Sequence, residues 1–236
     1  MPWELKKSIE ARRRIYLVRH ADVSYFDGSG RPLPVAGVSL SREGIGQAEA
    51  AREALRGIPF DRAVDSGLPR TRETATIILG GQEVPRESRE ELREVAPGRL
   101  MDPRAPDFEA RFVGALGEGV GRDTPFLAGE TFGSLEDRAL PAFRALVQSG
   151  GWKELLIVAH GGTNRILLLH ALGAGLPSLS RLEQDAGCIN ILDVSPDGGL
   201  LVRLVNFTPY APLKEGLRAT TMEKIYLEHR RAFEGE

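Results

Sequence analysis

Arg14-Ile15-Tyr16-Leu17-Val18-Arg19-His20 is a short apolar run that ends in a cation and an imidazole. Four consecutive apolar residues, β-branched and aromatic types among them and bounded by charge, predict a strand buried on both faces, as in a parallel sheet. Such a strand delivers Arg19 and His20 to its carboxyl end, where ligands bind in open α/β sheets. Working outward, Leu155-Leu156-Ile157-Val158-Ala159 repeats the pattern, ends in His160 and passes through Gly161-Gly162 into a helix expected over Thr163 to Leu172. Between the two, Phe60 to Ser66 reads as a further strand. Pro69 then opens a helix that runs to Leu79 and stops at Gly80-Gly81, which sets Arg70 near a helix amino terminus, a place that favours anions.

The remaining chain fits around these strands. Ala21 to Leu40, with three glycines and two prolines, is a loop beside the site, and its Tyr25 and Phe26 are either ligand contacts or loop anchors. Ser41 reads as the cap of a crossover helix from Arg42 to Arg56, stopped by Gly57. Residues 82 to 130 are the least regular, with a short extended piece around Leu92 and an amphipathic helix near Pro106 to Leu116. Thr131 to Gln148 has helical spacing, which Pro141 is expected to kink or split. Cys188 to Val194 and Leu200 to Phe207, joined by Ser195-Pro196-Asp197-Gly198-Gly199, read as an antiparallel hairpin, and a charged helix from Thr221 to Phe233 follows. Strands alternating with helices give a three-layer α/β/α sandwich, its sheet mainly parallel with an antiparallel edge strand. One domain is expected over 1–236, with 1–13 an extra amino-terminal helix or tail.

With 236 residues, 42% of them hydrophobic, the chain can bury a sizeable core. A net charge of -2 offers no global field for nucleic acid or an acidic membrane, so any anion site must be local. The one cysteine, Cys188, excludes an internal disulfide or a Cys-based zinc cluster and reads as a buried small side chain. The opening residues are charged, and the apolar run after them is too short for a signal-peptide core or a membrane span. A soluble cytoplasmic protein is expected. Its assembly is left open, a homodimer included.

Three strand ends thus carry Arg19-His20, Arg70 and His160, all directed to one rim of a parallel sheet. Two guanidinium groups suit a phosphate or carboxylate, and two imidazoles can supply a nucleophile and a donor. At this point the sequence resembles the histidine phosphatase, or phosphoglycerate mutase-like, superfamily. The resemblance rests on Leu17-Val18-Arg19-His20, Leu40-Ser41-Arg42-Glu43-Gly44 with Gln47-Ala48, and Ser66-Gly67-Leu68-Pro69-Arg70 through Ala75. It continues through Leu92-Arg93-Glu94, Gly129-Glu130-Thr131 and Val158-Ala159-His160-Gly161-Gly162-Thr163, in the family's order. Two departures fall where substrate contacts are expected. Ala21-Asp22-Val23 replaces the common Gly-Glu-Thr, and Pro97-Gly98-Arg99-Leu100 replaces the usual Trp-Glu-Gly.

The resemblance implies a metal-independent phosphomonoesterase with no cofactor, acting on a small-molecule phosphate ester. His20 would attack phosphorus, Arg19, Arg70 and His160 would neutralise its oxygens, and Glu94 would serve as acid and then base. Arg19, Arg70, His160, Gly161 and Tyr25 form the expected substrate-binding set. Asp22 is the reserve for the acid/base role. His170, His229, Arg72 and Arg165 stay outside the set, while Asn190, Asn206 and Tyr210 read as structural. Phe108, Phe112 and Phe126 stand with Tyr25 and Phe26 in loops that would frame the leaving group. A phosphoglycerate mutase-type transfer and a non-catalytic phospho-ligand binder are the alternatives.

Overall fold

The structure is a computed structural model that describes residues 9–27, 33–98 and 107–234. Its sheet has the order β3-β2-β4-β1-β5-β6, built from β1 (Arg13–Arg19), β2 (Arg62–Asp65), β3 (Arg86–Ser88), β4 (Glu154–Ala159), β5 (Ile189–Val194) and β6 (Leu200–Phe207). β1 lies at the centre, parallel to β4 and antiparallel to β5. β2 runs parallel to β4 and β3, and β6 pairs antiparallel with β5. The expected hairpin is therefore present, with the reversed strand β5 one place in from the edge.

Alternation along β1 decides the layers. Ile15 and Leu17 join Leu155, Ile157 and Leu192 in a core roofed by α4 (Phe132–Gln148) and α5 (Gly161–Leu172). Tyr16 and Val18 join Leu156 and Val158 on the other face, under Ala51 of α1 (Arg42–Ala54) and Ile78 of α2 (Pro69–Leu79). Apolar burial on both faces makes the sandwich. A third cluster, Phe108 and Phe112 of α3 (Phe108–Val113) against Met222 and Tyr226 of α6 (Thr221–Glu234), sits apart from the sheet.

Local chemistry sets the ends. Ser41 caps α1 by accepting from the Gly44 amide at 3.0 Å, and Gly80 ends α2 in the left-handed region at φ +55°. Several expectations need correction. Leu92 is not extended: it ends a single 3-10 turn, Glu90–Leu92, that buries its side chain completely, whereas the strand is the polar Arg86–Ser88, which pairs with one neighbour only. Pro141 does not divide α4, which runs as one helix. Pro141 and Asp137, whose carbonyl loses its amide partner, both lie on the exposed face, where water replaces that bond. The helix expected near Pro106 to Leu116 continues only to Val113 before tightening into a 3-10 turn, Gly114–Leu116. Its start at Pro106, and residues 1–8 of the expected amino-terminal helix, lie outside the described residues. No helix among the described residues is long and apolar enough to cross a membrane.

Candidate active site

The carboxyl ends of β1, β2 and β4 converge. His20 follows β1, and its Nδ1 lies 2.7 Å from the Ala21 carbonyl oxygen, so Nδ1–H donates and Nε2 keeps its lone pair. Burial, reinforced by the charges of Arg19 and Arg70, holds its pKa well below the ordinary 6.5. The ring is neutral at neutral pH. His160 stands against it with ring centroids 5.1 Å apart and is fully buried, beneath the cavity rather than in its lining. Its protons can be traced through three hydroxyl contacts. Thr71 donates to the Leu68 carbonyl at 2.9 Å, Ser66 Oγ lies 3.1 Å from Thr71 Oγ1, and His160 Nε2 lies 2.7 Å from Ser66 Oγ. With the Thr71 proton committed, Ser66 gives its own to Thr71 and accepts Nε2–H from His160. Nδ1 of His160 is left buried without a partner. Burial first, then the charges of His20, Arg70 and Arg19, keep this ring neutral as well.

Three guanidinium groups surround the pair. Arg19 donates from one terminal nitrogen to the Gln184 carbonyl at 2.6 Å and to Thr221 Oγ1 at 2.8 Å, and Arg70 donates to the Val35 carbonyl at 2.7 Å. Arg165, left out by the sequence reading, is 3% exposed and joins them. It pairs with Glu183 at 2.8 Å, and a side chain on Gly161 would meet both its NH1 at 3.3 Å and Arg19 Nε at 3.5 Å. Arg19 Nε, Arg70 Nε and Arg165 NH1 are all buried without a hydrogen-bond partner. Each such donor costs roughly 1–3 kcal/mol until something accepts from it. An anion between them would remove that cost.

Glu94 caps the start of α5, accepting from the amides of Gly162 at 3.0 Å and Thr163 at 3.2 Å, and from its neighbour Val95 at 3.0 Å. This is why α5 begins at Gly161, two residues before the sequence suggested: the carboxylate satisfies amides that a helix start leaves free. From α4, Arg138 grips the segment by donating to the carbonyls of Glu91, Arg93 and Glu94 at 2.7, 2.8 and 3.0 Å. Glu130 ties Arg138 and the Ala96 amide together at 2.7 and 2.9 Å. Gly129 fits below because a Cβ there would lie 2.2 Å from the Gly98 nitrogen.

Arg19, His20, Arg70, Glu94, Gly161, Tyr25 and Arg165 all line one cavity of about 340 Å³. His229, given no role from sequence, also lines it, whereas Phe108 packs behind Phe112. Asp22 is held by Ser41 at 2.6 Å outside the lining, and Arg72 lies on the surface beside Ser88. Asn190 bonds the Leu17 carbonyl and Gln184 at 2.9 and 2.8 Å, Asn206 bonds Asp185 at 3.0 Å, and Tyr210 bonds the Ala186 carbonyl at 2.8 Å. All three lie outside the cavity lining and tie neighbouring segments of the chain together. Cys188 is buried, its thiol pushed up to about 12, chiefly by desolvation.

A sequence model described as the histidine phosphatase superfamily (branch 1) matches residues 15–207. The chain belongs to the histidine phosphatase superfamily. Catalysis through a phosphohistidine is typical of that superfamily. Among its histidine phosphatase relatives, adenosylcobalamin/alpha-ribazole phosphatase of Salmonella typhimurium is 30% identical over 200 residues, 82% of this chain and 96% of that protein. The 2-carboxy-D-arabinitol-1-phosphatase of Triticum aestivum is 28% identical over 85% of this chain and 42% of its own length. The alpha-ribazole phosphatase from Shigella flexneri shares the fold, with a TM-score of 0.67 at 22% identity over 82% of this chain and 96% of that one.

Proposed function

We propose that this histidine phosphatase hydrolyses small organic phosphate monoesters without a metal, through a phosphohistidine on His20. The observation that carries the reading is the set of three buried guanidinium nitrogens without acceptors around an imidazole whose Nε2 is free. A phosphate monoester seated among Arg19, Arg70 and Arg165 accepts those donors, most strongly as charge spreads in the transition state. Nε2 of His20 forms the N–P bond as the P–O bond to the alcohol breaks, and Glu94, entering this step as the carboxylic acid, gives its proton to the departing oxygen and is left as the carboxylate. Water then attacks phosphorus, gives its proton to Glu94 and releases phosphate and His20. His160, with Nε2–H committed to Ser66, takes on Nδ1 the proton that a bound phosphate monoanion gives up, and so becomes a donor to the resulting dianion. We read 1–236 as one domain, in support of which the sheet draws strands from residue 13 to residue 207.

The test is hydrolysis of 4-nitrophenyl phosphate in excess EDTA, with acid-labile phosphoprotein mapped after rapid quenching. Undiminished turnover with label on His20 supports the reading. Activity abolished by EDTA and restored by a divalent ion, or label on another residue, overturns it.

A further inference from the structure

Beyond the charged floor, the cavity changes character. Its lining also includes an apolar set, Phe26, Phe112, Leu116, Phe126, Met222 and Ile225, drawn from the loop after β1, from α3 and the turn behind it, from the Phe126–Ala128 turn and from α6. Leu33 and Val35 also line it and are partly open to solvent.

The wall is anchored, not incidental. α6 presents Met222, Ile225 and His229 on one stripe at helical spacing. It is pinned at three points: Arg19 donates to Thr221 Oγ1 at 2.8 Å, Ser24 donates to Glu228 at 2.6 Å, and Tyr226 donates to Glu109 at 2.8 Å. The first of these bonds runs directly from a phosphate-pocket guanidinium to the helix that walls the chamber. His229 packs against Phe26 at 5.2 Å with the rings tilted by 34°, and lies nearly parallel to Phe112 at 6.2 Å and 13°, so aromatic rings already pack together along this side.

We infer that the preferred substrates are phosphate monoesters whose alcohol carries a flat apolar group, such as a one- or two-ring aromatic, and that α6 selects them. This rests on the phosphatase reading and narrows it to a substrate class. A polyhydroxylated alcohol, such as a glycerate or a sugar, would lose water from hydroxyls for which this wall has few hydrogen-bonding partners. A ring instead buries apolar surface on both its faces. A volume of about 340 Å³ is near the small end for organic ligand pockets and is enough for a ring system and a phosphate.

Phosphonates, which cannot be hydrolysed, read the chamber without depending on turnover. Affinity measured by calorimetry on the full chain should rise along methyl-, butyl- and hexylphosphonate by up to about fourfold per methylene, and be greatest for naphthylmethylphosphonate. Ile225→Asn and, from a different element, Leu116→Asn should flatten the series. In parallel, kcat/KM for naphthylmethyl phosphate should exceed that for glycerol 3-phosphate by at least about tenfold; both have alkyl-type leaving oxygens, so leaving-group strength does not explain the difference. A flat phosphonate series in the unmodified protein, or equal kcat/KM for the two esters, overturns the inference and leaves the phosphatase reading standing. A steep phosphonate series with no ester hydrolysed supports the chamber and overturns the phosphatase reading instead.

Discussion

At the scale of single residues, His20 and Glu94 divide the proposed chemistry in a way that two substitutions separate. His20→Ala removes the nucleophile but leaves Arg19, Arg70 and Arg165, so inorganic phosphate should still bind within about tenfold of the original affinity, about 1.4 kcal/mol. Calorimetry and phosphoprotein quantitation read the two halves, and full turnover in this variant would remove His20 from the mechanism. Glu94→Gln keeps shape but can neither give nor take a proton. Turnover of an alkyl phosphate should fall by about a hundred- to ten-thousand-fold, while an aryl phosphate, which leaves with little protonation, should load His20 and then stall. Acid-labile phosphate accumulating after rapid mixing is the signature, and an unchanged alkyl rate would move the role elsewhere. The low pKa values of His20 and His160 add a third expectation. In the free enzyme both rings stay neutral as pH falls through 6.5, and bound vanadate should raise the His160 value, a change visible in histidine-selective NMR. Titration of both rings at 6.5 in the free enzyme, or no response of His160 to vanadate, would argue against the buried cluster drawn above.

At the scale of elements, the start of α5 is where a backbone position sets the place of the Glu94 carboxylate. A Cβ on Gly162 would lie 2.6 Å from Glu94 Oε1, the mobile end of a side chain, and 3.4 Å from Val95 Cγ1. Gly162→Ala should therefore displace the carboxylate without unfolding the helix, and can regain up to about 1 kcal/mol of helix stability. Because the capping bonds lost from Glu94 offset that gain, we expect a thermal midpoint close to the original, with alkyl phosphates slowed more than aryl phosphates. Equal slowing of both would mean that the carboxylate had not moved alone. The same element shows what could be read in advance. β1 and β4 were legible because their apolar runs are buried on both faces, and Arg19, His20, Arg70 and His160 because each ends a strand or opens a helix. Glu94 was legible only by family resemblance, since a carboxylate among Glu87, Glu90 and Glu91 carries no local signal. Arg165 was hidden for a different reason: an arginine on a helix is ordinarily solvent-facing, and only its position one turn after Gly161 turns it inward. Knowing that α5 starts at Gly161 would have revealed it. The chamber wall was harder still, because Phe112, Phe126 and Met222 meet only through tertiary packing between segments far apart in sequence.

At the scale of the whole molecule, all four histidines have pKa values below 6.5 in the folded chain, each with burial as the first cause. Between those values and 6.5 the unfolded chain binds more protons, so stability rises with pH there: it is fully present above 6.5 and is lost as pH falls. Thermal midpoints should change little from pH 7.5 to about 7 and then decline as pH falls through 6.5 to 5.5, before carboxylates such as Asp185 and Asp193, held low despite burial by Lys214 and Arg14 respectively, begin to protonate. A flat or rising midpoint across that interval would contradict the buried, neutral state of these rings. The strand order has a consequence of another kind. β1 is paired on one side by residues 154–159 and on the other by residues 189–194. During synthesis on the ribosome, the most apolar strand of the first quarter of the chain emerges long before either neighbour exists, and contacts of such long sequence separation form slowly. Until Val194 has left the exit tunnel, the nascent chain carries a strand with one edge still bare and His20 at its end, and α6 is still unmade.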